Sequence, residues 1–130
     1  MANKRLLLLS NSTNAGEAYL GYPRQEIQAF LGTEVNAVLF IPYAAVQYSY
    51  DRYAEIVGEA FGDMGYGVDA IHTTADPKEA VQKAEAIVIG GGNSFHLLYH
   101  LYAADILESI RARVLNGIPY IGWSAGANMA

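Results

Sequence analysis

Short apolar runs alternate with segments of helical periodicity along the whole of this 130-residue chain. Leu6 to Leu9 opens the pattern as a predicted buried strand and gives way to the polar loop Ser10 to Asn14. A helix is predicted from about Pro23 to Leu31. Ile27, Phe30 and Leu31 share one side of it, proline suits the first turn, and Gly32 stands at the C-cap. Val35 to Ile41 reads as the second strand, stopped by Pro42. Asp51 to Phe61 carries Tyr53, Ile56, Val57, Ala60 and Phe61 on one face of a second helix, with Gly62 and Gly65 closing it. Gly67 to His72 is a third, shorter strand. Asp76 and Pro77 supply an N-cap and a first-position proline for a third helix reaching about Ala84. Ala86 to Ile89 is the fourth strand and runs straight into Gly90-Gly91-Gly92-Asn93. Helices over Ser94 to about Tyr102 and Asp105 to Leu115 then lead to Gly117 and the fifth strand, Ile118 to Trp123.

Five strands separated by helices is the alternation of an α/β domain. Right-handed crossovers make its sheet mostly parallel with helices on both faces, a doubly wound arrangement, and residues 1–130 fit a single domain of this kind. Loops at the C-terminal ends of parallel strands open on one edge and can share a pocket. Three such loops are polar or glycine-rich. They are Ser10-Asn11-Ser12, Gly90-Gly91-Gly92-Asn93 and Gly122-Trp123-Ser124-Ala125-Gly126. Ser10 and Asn11 are thereby expected to line the same crevice as the other two.

The last of these is a G-x-S-x-G sequence entered from an apolar strand, the pattern of a nucleophile elbow. Glycines are needed there because the serine backbone is strained and neighbouring side chains would collide with the close-packed strand and helix. Ser124 is the expected nucleophile for acyl transfer. The backbone N–H of Ala125 is one natural oxyanion donor, and Gly91 and Gly92 are the expected source of the other. The triple glycine could instead cradle a phosphate ahead of a helix, but its spacing is not G-x-G-x-x-G and no G-K-[ST] follows.

Composition narrows the classes further. The net charge is −5 with Lys and Arg scattered, which argues against nucleic-acid or anionic-membrane binding. No apolar stretch approaches the ~20 residues of a membrane span, and the leucine run breaks too soon for a signal segment. Without cysteine the chain has neither disulfides nor thiolate metal sites, and a cytoplasmic location is expected. His96 and His100 stand four apart on a predicted helix, a spacing that could meet one metal ion. With no intervening Glu in an H-E-x-x-H pattern they read as ordinary helix residues, and His72 as structural. No metal or cofactor is expected.

Several stretches together resemble the peptidase E family. They are Leu6 to Ser12, Phe40-Ile41-Pro42, Ile71-His72 with Ala75-Asp76-Pro77, Gly90 to Phe95, and Tyr120 to Asn128. That family comprises α-aspartyl dipeptidases, serine peptidases on a class-I glutamine-amidotransferase-like, flavodoxin-like fold. Cyanophycinase is similar in the G-G-G-N and G-W-S-A-G-A-N motifs. The resemblance implies metal-free hydrolysis of small Asp-X dipeptides, with Ser124 as nucleophile, the Gly90 to Gly92 loop and Ala125 as oxyanion hole, and Asn93 and Ser94 beside the substrate. It places the catalytic histidine and its acidic partner after the elbow, so that residues 1–130 correspond to the N-terminal portion of a longer domain. His72, His96 and His100 precede the elbow and do not match. Little activity is expected from residues 1–130 alone. The alternatives are a cyanophycinase-like peptidase and a non-catalytic chain that self-associates as a homo-oligomer through an exposed sheet edge.

Overall fold

The computed structural model describes residues 4–10, 20, 21 and 23–129. Among them, five strands form one parallel sheet: β1 (Leu6–Leu9), β2 (Ala37–Ile41), β3 (Gly67–Ala70), β4 (Ile87–Ile89) and β5 (Tyr120–Trp123), in the order β1-β5-β4-β2-β3. The helices are α1 (Arg24–Leu31), α2 (Tyr50–Met64), α3 (Pro77–Lys83), α4 (Ser94–Ala103), α5 (Leu107–Leu115) and the short α6 (Ala125–Asn128).

Strand side chains alternate between two cores. Val38, Phe40, Val88, Ile121 and Trp123 pack with Ile27 and Leu31 of α1 and Val57 and Phe61 of α2. Leu39, Ile41, Ile87, Ile89 and Tyr120 face the other way, against Val81 of α3, Leu97 and Leu101 of α4, and Ile110 of α5. Both faces of the central strands are therefore buried, which is why β2, β4 and β5 read as uninterrupted apolar runs. The expected doubly wound α/β fold is the observed one.

The helix ends follow their local chemistry. Asp76 caps α3 by accepting from the Glu79 N–H at 3.2 Å. Ser49 does the same for α2, accepting from the Arg52 N–H at 3.1 Å. Gly65, at φ 100°, closes α2 in the left-handed conformation, whereas Gly62, expected to help end the helix, lies inside it. Ile71 and His72, expected to continue β3, belong instead to a 3-10 turn over Ile71–Thr73.

One expectation is corrected at β1. Read as a buried strand, it pairs on one side only, with β5, and Leu6 and Leu8 are 37% and 47% exposed. A strand at the edge of the described sheet lacks a neighbour to cover its flank, and four leucines alone do not reveal that position.

Candidate active site

The elbow is built by backbone collisions that only glycine avoids. β5 ends at Trp123, and Ser124 turns the chain into α6 with φ 54° and ψ −115°. This conformation costs a non-glycine residue about 1–3 kcal/mol and persists only where its surroundings over-determine it. Here they do. The Ser124 N–H donates to Leu9 O at the end of β1 at 3.0 Å, and Ser124 O accepts from the Ala127 and Asn128 amides. A Cβ on Gly122 would lie 2.5 Å from Gly126 O, and one on Gly126 would strike the carbonyl of Ile89 in β4. The two glycines of the motif thus let α6 sit directly on the strand ends. Tyr120 secures it by donating its buried hydroxyl to Gly126 O at 2.6 Å. Burial pushes the pKa of that hydroxyl up, so it stays protonated and able to donate.

The loop after β4 faces this turn, and each glycine of its triplet meets a different neighbour. A Cβ on Gly90 would run into the Tyr53 hydroxyl. One on Gly91 would lie 2.9 Å from Ser124 Cβ and 3.4 Å from Ser124 Oγ. Gly92 adopts φ 142°, and a Cβ there would overlap Ala44 O in the loop after β2. The predicted meeting of the two motifs is therefore present in the backbone.

The amides separate into two kinds. The Gly91 N–H, expected to be offered to an oxyanion, donates instead to Tyr53 Oη at 2.8 Å. The Gly92 and Ala125 N–H groups have no protein acceptor among the described residues. Asn93 is fixed at both ends: its N–H donates to Ala44 O at 2.8 Å and its Oδ1 caps α4 by accepting from the His96 N–H at 2.9 Å. Ser94 Oγ accepts from Asn128 Nδ2 at 3.4 Å, joining α4 to α6. Ser10 is exposed just past β1, and Asn11 lies outside the described residues. Ser124 itself is exposed. A concavity of about 460 Å³ elsewhere, bordered by Asp69, Thr73, Lys83 and Glu85, draws on neither loop. Backbone arrangement, not enclosure, marks the site.

The three histidines gather in one aromatic cluster that sequence reading did not foresee. His72 Nε2 donates to Asp51 Oδ1 at 2.7 Å, and the Tyr50 hydroxyl and His96 Nε2 lie 3.3 Å apart. Ring centroids of His96 and His100 are 4.4 Å apart, and Tyr43, Tyr50 and Tyr99 pack around His100. None of the three rings is hydrogen-bonded to Ser124. Arg52 pairs with Glu55 at 3.0 Å and Arg24 donates to Asp63 O, both away from Ser124. Among the described residues no helix is long and apolar enough to cross a membrane.

Burial first, and then the neighbouring His96, hold the His100 pKa below its usual value. An unfolded chain protonates this side chain near pH 6.5, whereas the folded protein does so only at lower pH. Between those points the unfolded state binds more protons, so the contribution of His100 to stability is full above about pH 6.5 and falls as pH drops below it. Thermal unfolding at pH 7.5 and 5.5 is expected to show a smaller drop in Tm for His100→Gln than for the parent. Equal drops would refute the assignment.

Comparison with known proteins agrees with this geometry. The model of peptidase family S51 matches residues 6–130. A peptidase E from Nostoc sp. is 56% identical over 98% of this chain and 53% of its own length. The peptidase E of Salmonella paratyphi A is 45% identical over 96% of this chain and 54% of its own length. The crystal structure of a candidate peptidase E from Listeria monocytogenes superposes with a TM-score of 0.73 at 26% identity, covering 97% of this chain and 61% of that one. The chain thus spans about half the length of the curated relatives it matches. With the elbow, the facing glycine loop and the family match in agreement, the chain belongs to peptidase family S51.

Proposed function

We propose that residues 1–130 carry the nucleophile and oxyanion hole of a serine-type dipeptidase that hydrolyses Asp-X dipeptides. The observation that carries this reading is the strained Ser124 facing the Gly91 backbone, with the Gly92 and Ala125 amides left to donate. Ser124 Oγ attacks the peptide carbonyl carbon, and the carbonyl oxygen gains negative charge as the tetrahedral adduct forms. Gly92 and Ala125 N–H groups donate to that oxygen. Gly91 supplies the absence of a side chain beside Ser124, not a hydrogen bond. Collapse of the adduct releases the amine of residue X, and water then hydrolyses the acyl-enzyme. The hydroxyl proton needs a base, because a serine at neutral pH is a poor nucleophile without one. The resemblance assigns that base to a histidine, with an acidic partner, beyond residue 130. Asn93 and Ser94, which follow the glycine loop, and Ser10 and Asn11 after β1 are proposed to border the substrate. A cytoplasmic location without metal or cofactor accompanies the proposal.

The test is a substrate panel on the full-length protein. Asp-Leu is expected to exceed Asn-Leu, Glu-Leu and Ala-Leu by about 10²-fold or more in kcat/KM, as a site built around one polar group rejects its analogues. Equal rates across the panel would overturn the aspartate preference. Cleavage of cyanophycin in preference to every Asp-X dipeptide would move the assignment to a cyanophycinase-like peptidase.

A further inference from the structure

The peptide that carries the Gly92 N–H hangs between two anchored neighbours. On one side Gly91 N–H donates to Tyr53 Oη at 2.8 Å, which fixes the Gly90–Gly91 peptide. On the other, Asn93 N–H donates to Ala44 O at 2.8 Å, which fixes the Gly92–Asn93 peptide. A peptide free at both flanks could rotate its N–H away from the substrate; one held at both has its direction set.

Tyr53 is unusually well placed to provide the first anchor. It projects from α2, is 3% exposed, and stacks edge-on against Phe40 with ring centroids 5.1 Å apart. Its hydroxyl also accepts from Trp123 Nε1 at 3.1 Å. Trp123 immediately precedes the nucleophile. One oxygen atom therefore ties the loop after β4 to the last residue of β5 before the elbow. Gly90 accommodates this bridge, since a Cβ there would take the place of the hydroxyl.

We infer that Tyr53 is the positioning residue of the oxyanion loop: its buried hydroxyl holds the glycine loop and the elbow in register, so that the Gly92 amide points at the developing oxyanion. The inference rests on the serine-peptidase reading of the site. Tyr53 touches no reacting atom, and its effect is exerted on the transition state through Gly91 and Gly92.

The test compares the full-length parent with Tyr53→Phe, which keeps the ring against Phe40 and deletes the oxygen. The expected result is a fall in kcat of about 10- to 100-fold with KM little changed, short of the ~10²–10³ that follows outright loss of a donor. Gly90→Ala reaches the same bond from the other side, leaves Tyr53 intact, and carries the comparison if Tyr53→Phe does not fold. Because the two changes act on one interaction, the double variant is expected to lose no more than the worse single one. The rate of Ser124 phosphonylation by a fluorophosphonate, measured in the same variants, is expected to fall in parallel. That reaction also builds negative charge on oxygen at the site but requires no aspartate. A parent that labels yet ignores Asp-X would sink the dipeptidase reading and leave the Tyr53 comparison intact. A parent that neither labels nor cleaves overturns both. Variants within twofold of the parent in kcat and labelling, or altered in KM alone, overturn the role of Tyr53.

Discussion

Ser124→Ala in the full-length protein is expected to lower kcat for an Asp-X dipeptide by about 10⁴-fold or more, the scale seen when the nucleophile of a serine hydrolase is removed. The residue lies at the meeting point of the two glycine motifs, and its backbone is held in place whatever its side chain. Binding of the substrate should persist, since the amides of Gly92 and Ala125 do not depend on the hydroxyl. A second substitution separates chemistry from strain. At φ 54° and ψ −115° alanine retains the conformational penalty, whereas glycine relieves it. Ser124→Gly should therefore be as inactive as Ser124→Ala but more stable, by about 1 kcal/mol after the added entropy of the unfolded glycine is subtracted. Denaturant titrations of the two variants measure that difference. Undiminished turnover by Ser124→Ala would remove Ser124 as the nucleophile.

The second large effect concerns two glycine-to-alanine changes expected to act in opposite directions. In Gly126→Ala the new methyl meets the carbonyl of Ile89 and lies 3.2 Å from Gly90 O, both backbone atoms that cannot rotate aside. α6 must lift from the strand ends, carrying Ala125 and Ser124 with it. A loss of about 1–3 kcal/mol, of the size overpacking produces, should accompany a fall in kcat. Gly62, inside α2, has nothing within 4 Å of the corresponding position. Gly62→Ala should therefore raise stability by up to about 1 kcal/mol through helix propensity and leave kcat unchanged. Chemical denaturation of both variants beside their kcat values checks the pair. A neutral Gly126→Ala would mean that the close approach of α6 to β4 is not required.

The central strands were legible in the sequence because burial on both faces leaves no polar residue to interrupt them, as in Val38 to Ile41 and Ala86 to Ile89. Asp76-Pro77 and Gly65 marked helix ends because their chemistry is local. Exposure along β1 was not legible, since it depends on which strand arrives beside it. At the site, Ser124 and the glycine loop announced themselves through motif and position. Tyr53 did not. In sequence it is one apolar-face residue of a helix, and its function comes from a hydroxyl that accepts from the loop after β4 and from β5. The histidine cluster was hidden for a similar reason. His72 follows β3 while His96 and His100 ride on α4, and Tyr50 from α2 is what gathers them. The bond from the Gly91 amide to Tyr53 was not legible, because a loop's composition says which backbone can come close, not where each N–H points.

The strand order has a consequence for how the protein is made. Leu6 to Leu9 is synthesised before every other described strand, yet its partner among them is β5, which inserts between β1 and β4. Nearly the whole described chain separates the two. The pairing is of the long-range kind that slows folding, because loop closure must precede any reward from contact. β2, β3 and β4 can assemble on one another while β1 is still waiting, an apolar tetrapeptide without a neighbour and open to association with other chains. Ser124 is formed by the same late event, since its amide is held by Leu9 O. The nucleophile is therefore set only when the first strand is captured, so a nascent or partly folded chain holds no aligned Ser124.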